Sequence, residues 1–439
     1  MFARLVPIAL VALFTVACEK PTHENIEKWA STKKGPAKLK GVLLDDGLDA
    51  DLSAHAAAVM VKTGRDNEVK TELDHMSAVR RTAVVAALAP RLWDIARIEG
   101  DRLRPAPHQT QAKDALFVIR SYADDATRTK IDGYLIDWYA VPAYEGRANA
   151  GAHLGAPVLR AIGPPAAKKM MAVLTSLIAS PGQETMKKRI GDELMLGIAV
   201  TADPEAVKYL LDVVHMDRGD ESLPTRAMGA LYRAYVYSEG MFDVVEPQAA
   251  AAALGPNLDE LAKIARDDRM PGAAASSAVA LIRSVGPPAC LPPLMSMLKA
   301  PSHDSRFKYV ATFNALRCGG AKSVVEVVRA MPEGGVYVKD ELQGSVSGEI
   351  AKMTPPDQVK AALRELLGDK GLLPRWVAME SLAAMKSTED APKIAALSGA
   401  KDKLVGYWGE RNPENKPDPT LGQRAKELAE QLTKGAGPK

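Results

Sequence analysis

Apolar side chains recur every three or four residues in several segments, as they do on one face of a helix. The clearest stripe consists of Ala274, Ala278, Leu281, Ile282 and Val285. The same spacing is found in 170–178, 205–216 and 359–367. No segment alternates apolar and polar residues over a useful length, and 334–338, the nearest to a strand, is interpreted as a loop. The pattern therefore predicts an all-α protein.

A nine-residue stretch occurs twice and marks where helices end. Residues 158–166 read Val-Leu-Arg-Ala-Ile-Gly-Pro-Pro-Ala, and residues 281–289 read Leu-Ile-Arg-Ser-Val-Gly-Pro-Pro-Ala. In each copy a glycine follows an apolar helix end, where it can adopt positive φ. Proline then stands in the first turn of the next helix, where its missing N–H costs nothing. Both copies are therefore predicted to be hinges between consecutive helices.

Weaker copies of this hinge extend the pattern into a repeat. Hinges are expected near residues 254, 285, 318 and 353, which are 31, 33 and 35 residues apart. In the N-terminal half the spacing is longer, with 40 residues from 122 to 162. Periods of this length indicate helical hairpins stacked side by side. We therefore expect a superhelical α-solenoid over 24–400. Residues 401–439 are then an irregular proline-rich segment with a capping helix and a loose tail.

The N-terminus has the pattern of an export signal. Arg4 provides a positive end, 5–16 is an apolar run of twelve residues, and Ala17 is a small residue before Cys18. Thr15-Val16-Ala17-Cys18 resembles the bacterial lipobox. That resemblance implies a signal peptide over 1–17, a palmitate-type lipid on Cys18, and a short tether over 18–23. Ordinary cleavage after Ala17 is the alternative, and the pattern does not identify the membrane.

Composition narrows the classes of partner. The chain has 439 residues, 57 basic and 54 acidic residues, and a net charge of +3. Because basic and acidic residues nearly balance, the protein has no strong positive electrostatic field that would attract nucleic acid. We therefore expect no nucleic-acid partner. With 47% hydrophobic but only 5% aromatic residues, much of the apolar content is alanine, as in the run 249–253. Small side chains favour close helix packing.

Two further cysteines, Cys290 and Cys318, would lie in an oxidising compartment if the protein is exported. Neighbouring stacked helices lie about 8–10 Å apart, which exceeds the ~7 Å Cα separation that a disulfide tolerates. The pattern also predicts Cys290 inside a helix and Cys318 at a hinge. Two buried thiols are therefore the favoured prediction, and a disulfide is the alternative.

No combination of residues in the sequence indicates catalysis. The seven histidines are scattered, and there is no HExxH or CxxC motif. The acidic stretch 45–51 resembles a calcium loop, but position twelve is Ala56 rather than the closing glutamate. Helix capping by aspartate is the better interpretation. We therefore expect no enzyme activity, no cofactor, no metal site and no small-molecule substrate.

Aromatic residues cluster twice and give the only candidate binding site. Large aromatic side chains and arginines dominate the binding energy of many protein interfaces. The alternative is that these side chains fill the core of irregular repeats. The candidate binding residues are Tyr134, Trp138, Tyr139, Arg233, Tyr235 and Tyr237.

Hairpins of about 31–40 residues, with small residues on the first helix, a Gly-Pro hinge and an aliphatic second helix, resemble the HEAT-repeat superfamily, particularly its short bacterial members. The resemblance implies a curved superhelix that binds proteins or peptides along its concave face. The expected function is that of a membrane-anchored lipoprotein of the bacterial cell envelope, on the periplasmic or outer-membrane side, which binds a protein partner without catalysis. The alternatives are an envelope spacer with no specific ligand and a non-catalytic subunit of an envelope enzyme complex.

Overall fold

The computed structural model describes residues 20–98, 104–179, 191–216, 222–236, 245–299, 305–331, 345–408 and 415–434. Across these residues the chain is helical without a strand, apart from one isolated antiparallel bridge between Lys403 and Thr420. The predicted all-α class is therefore confirmed. The predicted signal peptide, Cys18 and the loop at 334–338 lie outside the described residues.

The chain divides into two compact units at the boundary between Val158 and Leu159. Helix α9, Gly155–Ile162, crosses this boundary. The first unit contains α1 to α8: His23–Trp29, Gly35–Leu44, Ala50–Lys62, Asp66–His75, Ala78–Ala96, Pro107–Ile119, Asp125–Tyr139 and Tyr144–Ala148.

Helix α3 is the centre of the first unit. It packs against α1, α2, α4, α5 and α6. Alanines fill the buried face of α3, among them Ala54 and Ala57, which have no exposed surface. Small side chains allow several helices to approach one helix closely. Asp49 caps α3 by accepting a hydrogen bond from the backbone N–H of Asp51, which confirms that the acidic stretch 45–51 caps a helix.

The second unit contains the remaining helices. They are α10 to α24: Pro164–Ala179, Asp192–Ala199, Pro204–Val214, Ser222–Tyr235, Pro247–Leu254, Leu258–Arg266, Gly272–Ser284, Leu291–Leu298, Ser305–Gly319, Val324–Ala330, Val346–Ala351, Pro356–Leu367, Leu372–Ala384, Ala391–Ala395 and Leu421–Lys434.

Helices of the second unit pack in two rows. In the first row each helix packs against the next in the order α11, α13, α16, α18, α20, α22 and α24. In the second row α10 packs on α12, α12 on α14, α15 on α17, α17 on α19, and α19 on α21. Each helix therefore contacts helices that are near it in the chain. The apolar side chains of one hairpin are buried against those of the neighbouring hairpins.

The two copies of the hinge have the predicted glycine conformation. Gly163 has a φ of 78° and Gly286 a φ of 81°. In the first copy Pro164 begins α10, as expected. In the second copy residues 287–290 form a turn, and α17 begins only at Leu291. The second helix therefore starts later than the sequence repeat alone suggests.

The described part of the C-terminal segment consists of an irregular stretch followed by a helix, and the predicted tail at 435–439 lies outside the described residues. Residues 415–419 lie outside any helix, and the bridge between Lys403 and Thr420 brings the chain back to α24. Helix α24 packs against α22 and α23 with one apolar side that includes Leu421, Leu428 and Leu432. Its other side is polar, so it covers the end of the first row.

Candidate functional site

The first aromatic group lies within the core of the first unit. Trp138 and Tyr139 are 1% and 0% exposed. Tyr134 is half-buried and stacks on Trp93 with ring centroids 5.3 Å apart. Side chains as buried as Trp138 and Tyr139 cannot contact a partner without local opening. At these two positions the geometry fits the core-filling alternative.

A buried lysine lies beside Tyr139, and no pattern in the sequence distinguishes it from other lysines. Lys113 is completely buried, with its ammonium 5.9 Å from the centroid of the Tyr139 ring. Burial lowers the pKa of Lys113, and the charge of Asp114 opposes that shift. A lysine in such a place is a candidate nucleophile if it can lose a proton.

The hydrogen bonds of Lys113 argue for a structural role instead. Its ammonium donates to Asp114 Oδ1 and to the carbonyl oxygens of Ala150 and His153. Asp114 in turn accepts from the backbone N–H groups of Ala152 and His153. All three ammonium donors are occupied, so Lys113 and Asp114 fix the loop that follows α8.

The second aromatic group lies on α13 in the second unit. Tyr235 is 5% exposed, and its hydroxyl donates to the carbonyl oxygen of Ala199 at 2.8 Å. Burial raises the pKa of Tyr235, and the charge of Asp203 adds to the shift. Arg233 is half-buried and forms an ion pair with Glu193 at 3.0 Å. Tyr237 lies outside the described residues.

Tyr235 lines a cavity of about 530 Å³. Helices α13, α14, α16 and α18 form its walls, together with the turn after α16. We call it the Arg283 cavity. Among the residues that line it are Tyr235, Glu246, Pro247, Arg283, Pro287 and Arg317.

Two arginines and one glutamate, Glu246, give the cavity its charges. Arg317 donates from Nε and Nη2 to the two carboxylate oxygens of Glu349, at 2.6 and 3.1 Å. Arg283 is half-buried, and its Nε is buried without a hydrogen-bond partner among the described residues. Burial lowers the pKa of Arg283, and the like charge of Arg317 lowers it further, while the charges of Tyr232 and Glu349 oppose the shift. A guanidinium stays protonated in proteins, so this charge remains in place without a bound counterion.

A disulfide forms part of the cavity wall, and the prediction of two free thiols was wrong. Cys290 and Cys318 are bonded, with their Cα atoms 6.2 Å apart. The predicted position of Cys290 was also wrong, because Cys290 is the N-cap of α17, whereas Cys318 lies at the predicted hinge, one residue before the end of α18. The expected separation assumed residues facing each other midway along two helices. The end of a helix can approach its neighbour more closely.

Sequence reasoning identified Tyr235 but not Arg283. An indication was present, because the repeated nine-residue stretch has an arginine at the same place in both copies, Arg160 and Arg283. Each interrupts an otherwise apolar helix end. The sequence could not show that one of them faces a cavity.

Other kinds of site are not visible in the part of the chain that the structure describes. There, no group of three or more His, Cys, Asp or Glu side chains is arranged to hold a metal ion. Among the same residues no helix is both long enough and apolar enough to cross a bilayer.

Comparisons with known proteins do not assign a family. No protein-family model matches the chain. No curated protein matches it either. A crystal structure of an engineered protein aligns with 80% of this chain and 96% of its own, at 14% identity and a TM-score of 0.19. A TM-score of that size is too low to indicate a shared fold.

Proposed function

We propose that this protein is a lipid-anchored α-solenoid of the HEAT-like type that binds a partner protein or peptide in a bacterial cell envelope, without catalysis. The observation that carries the proposal is the Arg283 cavity, a recess among four helices with a half-buried arginine whose Nε has no hydrogen-bond partner in the described chain. A recess of this kind is suited to a group that projects from a partner.

The packing of the second unit supports the solenoid part of the proposal. Helices of its first row each contact the next, from α11 to α24, and hairpin partners such as α15 and α16 contact each other. This nearest-neighbour packing is what a repeat array requires. Successive repeats then place their exposed faces side by side, where a peptide can contact several of them.

The proposed anchor rests on the first eighteen residues. Arg4, the apolar run 5–16, Ala17 and Cys18 have the order of a bacterial lipoprotein leader. Helix α1 begins at His23, only five residues after Cys18. A lipid on Cys18 would therefore hold the first helix near the membrane surface.

The absence of a catalytic step is part of the proposal. The described residue most like a nucleophile is Lys113, and its ammonium donates three hydrogen bonds within the fold. It therefore has no lone pair to offer while these bonds persist.

Photo-cross-linking in cells that produce the full chain tests the proposal. Benzoylphenylalanine is placed at Glu246, which is exposed and lines the cavity. The matched position is Glu205, which is also exposed but does not line it. We expect irradiation to give a discrete adduct from position 246 that position 205 does not give. Identical patterns from both positions, or none from either, would overturn the proposal.

A further inference from the structure

We propose that the Arg283 cavity binds a carboxylate group carried by a peptide segment with apolar neighbouring groups. The inference rests on the proposed function, since it names the chemistry by which a partner is recognised. It follows from an unpaired charge, the count of charges around it, and the walls of the cavity.

The unpaired charge is that of Arg283. Removing a guanidinium from water costs free energy, and hydrogen bonds or an ion pair normally offset that cost. Among the described residues Arg283 forms no ion pair, although the charge of Glu349 acts on it electrostatically, and its buried Nε has no acceptor. Because arginine does not lose its proton, the cost cannot be relieved by neutralisation. An anion bound beside Arg283 in the cavity would offset that cost.

The number of charges favours an anion with a single charge. Arg317 is already matched by Glu349, whose two oxygens accept its hydrogen bonds. Glu246 adds one exposed negative charge at the rim. Arg283 and Arg317 are therefore balanced in number by Glu349 and Glu246, but among the described residues neither carboxylate forms an ion pair with Arg283. A carboxylate adds one negative charge beside Arg283, whereas a phosphate adds nearly two, which Glu246 and Glu349 repel more strongly.

Geometry also favours a carboxylate. The planar fork of a guanidinium matches the two oxygens of a carboxylate, and such paired hydrogen bonds are strong.

The remaining walls are mainly apolar. Tyr235, Val236, Pro247, Ala250 and Pro287 contribute ring and aliphatic surface. A volume of about 530 Å³ lies within the range of small-ligand sites and accommodates a few side chains. An apolar group beside the carboxylate would bury surface against these walls. A peptide can supply both the carboxylate for Arg283 and an apolar group for the walls. A free inorganic anion supplies only the negative charge.

The cavity is also held in shape before binding. The disulfide from Cys318 to Cys290 ties α18 to the start of α17. The hydroxyl of Tyr235 is hydrogen-bonded to Ala199. Walls fixed in this way lower the conformational entropy lost on binding, which favours affinity.

Two sources provide the same chemistry, a C-terminal carboxylate and an acidic side chain. Three probes distinguish them: acetyl-Ala-Ala-Leu with a free carboxylate, the same tripeptide as its amide, and acetyl-Ala-Glu-Leu-amide. Inorganic phosphate is the fourth probe. Each is titrated into the mature full chain, and binding is followed by calorimetry and by the Nε–H nuclear magnetic resonance signals of the arginines.

We expect at least one of the carboxylate peptides to bind, the uncharged amide to bind at least about tenfold more weakly, and the Arg283 Nε–H signal to shift. The Arg283→Met variant should lose this binding, and Arg283→Lys should restore it only in part because it lacks the planar fork. Arg329→Met is the matched control, since it removes a surface guanidinium that does not line the cavity.

Equal binding of acid and amide, or equal affinity in wild type and Arg283→Met, would overturn the inference. So would binding of phosphate in preference to both carboxylates. The outcome is separate from that of the proposed function. Carboxylate binding without any adduct in cells would leave the inference standing alone, whereas an adduct without carboxylate binding would leave only the proposed function.

Discussion

Arg424 and Arg283 are both positively charged, but they differ in whether a carboxylate pairs with them. Arg424 donates from Nε and Nη2 to the two carboxylate oxygens of Glu380, at 2.8 and 3.1 Å, and Glu380 is 6% exposed. Arg283 makes no such pair among the described residues. The first arrangement is required for stability because each ion compensates the other. The second lowers stability unless a ligand is present.

This contrast gives a stability prediction. Arg424→Met should lower the free energy of unfolding by about 3–5 kcal/mol, because it leaves the Glu380 carboxylate buried and unpaired. Arg283→Met should change it by less than about 0.5 kcal/mol or raise it, since no partner is orphaned. Urea denaturation at pH 7 measures both. A loss of similar size in the two variants would show that Arg283 has a structural partner.

Asp390 provides a pH-dependent test at the hinge after α22. Its side chain is completely buried and accepts hydrogen bonds from Arg364 at 2.7 and 3.0 Å and from Ser387 at 2.9 Å. Burial alone raises the pKa of this carboxyl, but the hydrogen bonds from Arg364 and Ser387 outweigh it, so the pKa lies below its ordinary value of 3.8. The ionised carboxylate is therefore stabilised by folding.

The sign of the pH dependence follows from that shift. A carboxyl with a depressed pKa contributes stability that is fully present above its unfolded pKa and is lost as the pH falls through its folded pKa. Asp390→Asn should lower the free energy of unfolding by about 1–3 kcal/mol at pH 7. The difference from wild type should shrink as the pH falls below 3.8.

Urea denaturation at pH 7, 5 and 3 tests this expectation. Asp212→Asn is the control, because it removes only an exposed pair with Lys208 and should cost less than about 0.5 kcal/mol. A deficit in Asp390→Asn that stays constant across the three pH values would contradict the assignment.

Residue-scale facts were the hardest to predict from sequence. The aromatic clusters were visible in the sequence, but spacing along α7 cannot show that Trp138 and Tyr139 both lie inside a small irregular unit. The three hydrogen bonds of Lys113 are also invisible in the pattern, because Ala150 and His153 lie 37 and 40 residues further along the chain. Such contacts depend on tertiary structure.

At the scale of helices, the hinge glycines give a matched set of substitutions. Gly286 has a φ of 81°, and an added Cβ would meet open space. Gly286→Ala should therefore cost about 1–2 kcal/mol from backbone strain alone. Gly229 lies within α13, has no positive φ and would also meet open space. Gly229→Ala should be stabilising by up to about 1 kcal/mol.

Thermal unfolding of the two alanine variants tests the hinge. A stabilising Gly286→Ala would mean that the left-handed conformation is not required there. A destabilising Gly229→Ala would show that α13 does not tolerate a methyl group at that position.

Helix periodicity was sufficient to predict the elements, but their ends were less certain. The apolar stripes identified α10, α12, α16 and α21. The position of Cys290 was wrong because residues 287–290 form a turn before α17 begins. A displacement of a few residues at a helix end changes which side chains meet. For Cys290 and Cys318 the displacement brings the two cysteines together, so a disulfide replaces the two expected thiols.

At the scale of the whole molecule, the sequence predicted one repeat array over 24–400, whereas the contacts divide the chain at Val158 and Leu159. This boundary falls within the first copy of the nine-residue stretch. The hinge pattern continues beyond Leu159, so the sequence gives no indication of a boundary there. The continuous array stays a prediction.

The lipid anchor is a separate whole-molecule prediction. Labelled palmitate should enter the wild-type protein, and Cys18→Ser should abolish labelling because the lipobox cysteine supplies the attachment site. Cys290→Ser and Cys318→Ser are the matched controls and should still be labelled. Equal labelling of wild type and Cys18→Ser, or none in either, would contradict the proposed anchor.

The central claim is that a partner enters the Arg283 cavity and is held there through Arg283. The most direct measurement repeats the cross-linking from position 246 in two further backgrounds, Arg283→Met and Arg329→Met. We predict that the discrete adduct is lost in Arg283→Met and retained in Arg329→Met. The same adduct at the same yield in all three backgrounds would contradict the account.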